Sequence, residues 1–274
     1  MSFFRYPGPI GTVRDWFGDN DDAKVARLRS PSQSTVGKPI SLRPSLVVAS
    51  GVCAYLNHRS SGTVIASENA FKRLRTASGQ AKVSTPQSKA SQAWIDGSST
   101  AAIELEITID SQTIQLIRPE DTAASGKNLP TTSQLSEALR AIPSAQRKHT
   151  KKVILSPVAH PKSTENRRVA GEAGSGEITL FPISTEQTQN DFDNRVMHES
   201  GHNYQESLWQ SVADSQEWGI AAKADKRRPS PYAAFNFGED FCEFSILFNA
   251  ANGTPCEAVA RQIYPNRWAK MLQY

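Results

Sequence analysis

Residues Thr188–Trp209 read TQNDFDNRVMHESGHNYQESLW, and this stretch decides the fold. Thr188 with Asp191 three residues on forms a capping-box pattern, so a helix is expected to open there. Phe192, Val196, Ser200 and Asn203/Tyr204 then share one side of it. Within that helix lies His198-Glu199-Ser200-Gly201-His202, the pattern H-E-x-x-H. Side chains at i and i+4 sit one turn apart on one face, so both imidazoles can reach a single metal ion. Glu199, next to the first histidine, is then the expected general base toward the water that such a metal holds.

Two histidines do not complete a catalytic zinc site, which takes three protein ligands and leaves a position for water. Gln205 and Leu208 occupy the Gly and His positions of an extended H-x-x-G-x-x-H continuation, which excludes that route. Glu206 lies one turn beyond His202 on the same helix and is displaced from the ion. A carboxylate from another helix is needed, and Glu239-Asp240-Phe241-Cys242-Glu243-Phe244 supplies two at i and i+4. One of Glu239 and Glu243 can bind metal while the other orients a histidine from outside. Asp240 reads either as a further outer partner or as a carboxylate favoured by the helix N-terminal dipole. Cys242 and the series Phe235, Phe237, Phe241, Phe244 and Phe248 read as packing, and His58, His149 and His160 as solvent-exposed.

Outward from the motif, Gly176–Phe181 (GEITLF) alternates and stops at Pro182, the pattern of an edge strand. Its residues Glu177, Ile178, Thr179 and Leu180 are the expected backbone platform for an extended peptide substrate. Ala101–Arg118 alternates twice around Asp110–Ser111 and predicts a hairpin, Thr131–Arg147 a helix capped at Ser133, and Lys152–Leu155 a short strand. Further helices are expected at 67–76, 211–226, 239–250 and, capped by Thr254 with Pro255 first, 254–263. The fold class is α+β, with a small mixed sheet and an active-site helix over residues 96–274.

Residues 1–95 read as a basic, Ser/Pro-rich and partly ordered extension for delivery, docking or packing. Residues 1–100 carry 13 Lys/Arg against 6 Asp/Glu, a net +7; the remaining 18 against 21 give −3, which together make the overall +4. No recognition-helix pattern accompanies that basicity, so nucleic acid is not an expected partner. The apolar run Ser45–Leu56 falls short of the roughly 20 residues that span a bilayer, so no membrane span is expected. Three cysteines, Cys53, Cys242 and Cys256, cannot build a disulfide scaffold, so 274 residues with 38% hydrophobic content must rely on a packed core.

H-E-x-x-H, the downstream E-D-F-x-E and the preceding Ser230-Pro231-Tyr232-Ala233 together resemble the gluzincin metallopeptidases. The similarity is greatest to the branch with the anthrax lethal factor catalytic domain and related bacterial toxin or effector peptidases. It covers roughly residues 135–248. The resemblance implies a zincin-like fold, a Zn2+ cofactor held by His198, His202 and Glu239, Glu199 as general base, and Tyr232 as oxyanion donor. It further implies an endopeptidase acting on a protein or peptide substrate. No basic start followed by an apolar stretch opens the chain, so a secreted effector leaving by a route without a signal peptide is expected, and a cytoplasmic protein otherwise. A secretion apparatus, chaperone or immunity protein would then be its partners. The alternatives are a cell-wall peptide amidase or endopeptidase, and a non-catalytic binding module with a structural zinc site.

Overall fold

A computed structural model describes residues 63–121, 129–163, 169–183, 187–225 and 227–274, all within the compact unit Ser50–Tyr274. The apolar run 45–56, His58, Cys53 and most of the basic segment lie outside the described residues.

Alternating Leu105, Ile107 and Ile109 point one face of β3 (Ser99–Ile109) into the core, and Ile114 and Leu116 do the same for β4 (Gln112–Pro119). The two form the expected hairpin, turning where Asp110 takes a left-handed φ of 56°. β1 (Lys82–Val83) and β2 (Gln87–Ala93) both pair antiparallel with β3. On the far side β5 (Lys152–Leu155) runs parallel to β4, β7 (Glu177–Leu180) parallel to β5, and β6 (Gly171–Gly174) antiparallel to β7. The order is β1-β3-β4-β5-β7-β6, with β2 also on β3, an open mixed sheet.

This order corrects one expectation. β7 is not the edge strand, because β5 takes one side of it and β6 the other. β6, with the sequence GEAG, shows no hydrophobic alternation, yet among the described residues it supplies the open edge of the sheet.

Eight α-helices accompany the sheet among the described residues: α1 (Glu68–Thr76), α2 (Thr132–Arg140), α3 (Ser144–Arg147), α4 (Gln189–Leu208), α5 (Val212–Ala224), α6 (Phe237–Ala251), α7 (Cys256–Ile263) and α8 (Pro265–Met271). The chain is therefore α+β. Thr131, not Ser133, caps α2 through a capping box with Gln134, and the expected single helix divides at Pro143, which has no N–H to donate. α4 opens on the expected Thr188–Asp191 capping box. None of these helices is long and apolar enough to cross a membrane.

α4 lies between two cores. Val196 joins Leu135, Leu139 and Ile142 of the α2 segment against Leu105, Ile107, Val153, Ile178 and Leu180 of the sheet. Met197 and Tyr204 face the helical core of Phe71, Trp218, Phe241, Phe244 and Trp268. The H-E-x-x-H segment is thus held from both sides. α1, β1 and β2 precede residue 96 yet belong to the same sheet and cores, so the compact unit extends well before that residue. Cys242 is free and buried, whereas Cys256 is disulfide-bonded.

Candidate active site

Gly201 lets α4 and α6 approach closely: a Cβ there would lie 3.1 Å from Cys242 Sγ and 3.2 Å from its Cα. That crossing sets Glu239 and Glu243 opposite the histidines. Glu239 Oε2 lies 3.0 Å from His198 Nε2 and 3.6 Å from His202 Nε2. Asn236 caps α6 by accepting from the Glu239 N–H at 2.8 Å, which fixes the turn that carries this carboxylate. On the other ring nitrogen, His198 Nδ1 donates to Glu243 Oε1 at 2.9 Å. Glu243 is fully buried, and its second oxygen accepts from the backbone N–H of Val64.

These contacts determine the titration of the site. Burial alone would lower the His198 pKa, but Glu239 and Glu243 raise it well above the ordinary imidazole value. Burial pushes Glu239 up, yet the two imidazoles hold it well below the usual carboxylate range. Glu199, only 7% exposed, is raised chiefly by burial. Three carboxylates thus face two imidazoles, a surplus of negative charge that favours a bound cation.

The donor set fits zinc. Metal–ligand bonds of 2.0–2.1 Å in tetrahedral geometry separate the ligand atoms by about 3.4 Å, and the 3.0 and 3.6 Å distances from Glu239 to the imidazole nitrogens bracket that value. His198 and His202 also form a group with Cys242, the three ligand atoms lying within 4.8 Å of one another. Glu239 is the better third donor. Its oxygen lies 3.0 and 3.6 Å from the two imidazole nitrogens, within the spacing that ligands of one zinc ion take up.

Tyr232 stands in a 3-10 turn (Tyr232–Ala234) with its ring 5.7 Å from that of His198. Burial, then the carboxylates of Glu239, Glu199 and Glu243, push its hydroxyl well above the ordinary phenol pKa, so it remains a donor. The spacing through the loop therefore brings Tyr232 to the histidines. Asp240 goes elsewhere: it accepts from Trp218 Nε1 at 3.0 Å and from Arg267 at 2.7 and 2.8 Å, and so belongs to the buried ion network with Asp225 rather than to the histidines. Phe235 is 51% exposed and lies tilted against Tyr232 at 5.1 Å instead of filling the core.

Glu177–Leu180 cannot receive a peptide, since both backbone edges are paired and Ile178 and Leu180 are buried. β6, next to β7, ends the sheet among the described residues. A Cβ at Gly171 would lie 2.6 Å from Glu199 Oε1, so only a bare backbone fits beside the glutamate. Glu206 accepts from the Ser175 N–H, and Asn203 from the Gly176 N–H at 3.1 Å, tying the β6–β7 turn to α4. His160 is buried rather than exposed, with Nε2 3.2 Å from Glu172 on β6, while His149 is half-buried and stacks on Tyr204.

Sequence patterns gave no sign of the segment before α1. Besides the Val64 contact to Glu243, Ala66 exchanges hydrogen bonds of 2.8 and 3.1 Å with Asn194 on α4. Both are backbone contacts, so residue identity at 64 and 66 carried no signal.

Compared with known proteins, the chain matches no family model and no curated protein.

Proposed function

We propose that the chain is a zinc-dependent endopeptidase of zincin-like architecture, with His198, His202 and Glu239 as metal ligands. The observation that carries this reading is the convergence of Glu239 Oε2 on both imidazole Nε2 atoms while Glu243 holds the opposite nitrogen of His198. Bound there, zinc would polarise a peptide carbonyl and lower the pKa of water. Glu199, buried and poised above its ordinary pKa, takes the proton from the attacking water and returns it to the departing amine. Tyr232 donates to the oxygen that gains charge as the carbonyl carbon becomes tetrahedral.

The free edge of β6 pairs an extended peptide antiparallel, the more stable register per residue, and holds its backbone beside Glu199. A purely structural zinc site has no use for a buried carboxylate beside the ligands, which favours catalysis over a binding module. The effector reading rests on the likeness of H-E-x-x-H, Tyr232 and E-D-F-x-E to the lethal-factor-like gluzincins.

Elemental analysis before and after chelation, followed by zinc reloading, tests the proposal. One zinc per chain should disappear with chelator and return together with hydrolysis of peptides. A chain that takes up no metal would overturn it.

A further inference from the structure

Arg195 lies one turn before Glu199 on α4 and takes no part in holding the histidines or their carboxylates. Its Nη1 makes two long hydrogen bonds, 3.4 Å to the Ala170 carbonyl and 3.3 Å to that of Phe181, where β6 begins and β7 ends. The Phe192 ring lies 5.1 Å from the guanidinium carbon. Nε and Nη2 are buried and have no hydrogen-bond partner among the described residues. Those two donors form one side of the guanidinium fork, the side that grips a carboxylate through two parallel bonds. Burial pulls the Arg195 pKa down only to about 10, so the group is still a cation at neutral pH. Glu199 and Asp191 offset the charge, but the Nε and Nη2 hydrogens are left without an acceptor among the described residues, a cost that a ligand carboxylate would remove.

The direction of a bound peptide brings its C-terminal side to this edge. Gly171 abuts Glu199, and Ser175 meets Glu206. Seven residues of helix rise about 10.5 Å and four of strand about 13 Å, so β6 and α4 run side by side in the same direction. A peptide antiparallel to β6 therefore runs from Glu206 toward Glu199 and on toward Arg195. The proton balance agrees, because Glu199 must face the amine on the C-terminal side of the broken bond.

Resting on the peptidase reading above, we propose that Arg195 is its specificity determinant. It binds a substrate carboxylate just C-terminal to the scissile bond, supplied either by an Asp or Glu side chain or by the free C terminus. The carboxylate takes Nε and Nη2, so the two long contacts of Nη1 to the Ala170 and Phe181 carbonyls can persist and hold the guanidinium in place.

The test uses the zinc-loaded full chain and peptides that carry Asp, Glu, Asn or Gln after the cut site, each with a free or an amidated C terminus. Peptides offering the carboxylate should show kcat/KM about 10- to 100-fold higher, the range for hydrogen bonds to a charged group. Arg195→Met should collapse that ratio toward one, and Arg195→Lys, which keeps the charge but not the fork, should fall between. Zinc content and melting temperature monitor folding of both variants. Preference that survives amidation assigns the side chain; preference that vanishes with it assigns the terminus. Cleavage without carboxylate preference, or a preference unchanged in both variants, would overturn the proposal and leave the peptidase reading intact. Should no peptide be cleaved, the peptidase reading fails, and calorimetry with the same peptides on Glu199→Gln decides the Arg195 site alone. Binding weakened by adding Arg195→Met supports it, and equal binding overturns it.

Discussion

Glu243→Ala removes a carboxylate that serves two donors at once, His198 Nδ1 at 2.9 Å and the Val64 N–H. Both donors are then buried without a partner, at about 1–3 kcal/mol each, so the variant should lose roughly 2–6 kcal/mol of stability. The second consequence falls on the metal. His198 loses the acceptor that fixes its tautomer and ring orientation, a change that typically weakens metal affinity 10- to 100-fold. Glu243→Gln keeps one acceptor oxygen but turns an amide N–H2 toward the other donor, so it should lie between wild type and alanine on both scales. Urea unfolding measures the first quantity, and zinc titration against a chromophoric chelator the second. An alanine variant that binds zinc as tightly as wild type would refute the orienting role of Glu243, whatever its stability.

Tyr232→Phe should lower turnover by roughly a hundred- to a thousandfold with zinc content unchanged, because the lost donor acts only as charge develops; a fully active enzyme with a reduced melting temperature would make Tyr232 a packing residue. Gly171→Val places side-chain atoms where Glu199 Oε1 lies 2.6 Å from the Cβ position, and should cut peptide hydrolysis while sparing zinc binding, as read by kinetics with metal analysis. Arg267→Met strands the buried carboxylates Asp225 and Asp240, and should cost about 3–5 kcal/mol in urea unfolding. Because burial raises its pKa, Cys242 should resist alkylation in the native chain at pH 8 and react only on unfolding, a difference that mass spectrometry resolves.

Where local chemistry alone dictates structure, the sequence was explicit. The Thr188–Asp191 capping box, the alternation of Leu105, Ile107 and Ile109, and the i, i+4 spacing in both helices each map onto the element they imply. The opposition of Glu239 and Glu243 to the histidines followed from side-chain chemistry, and the structure brings those groups together. What escaped depends on neighbours distant in sequence. GEAG of β6 carries no apolar alternation because the edge strand packs backbone, at Gly171, against Glu199. Its presence turned GEITLF from an edge strand into an interior one. Asp240 shares a turn with Glu239, and only the positions of Trp218 and Arg267 draw it to the opposite side. The contacts of Val64 and Ala66 run through main chain, which no residue pattern reports. Arg195 belongs to no motif, and only the packing of β6 and β7 against α4 buries its Nε and Nη2.

The most direct test of the account compares wild type with Glu199→Gln, measuring bound zinc and peptide hydrolysis on the same samples. Glu199 is not among the ligands, so both proteins should hold one zinc per chain, while hydrolysis falls to background in the variant alone. Equal hydrolysis by the two zinc-loaded proteins would contradict the account.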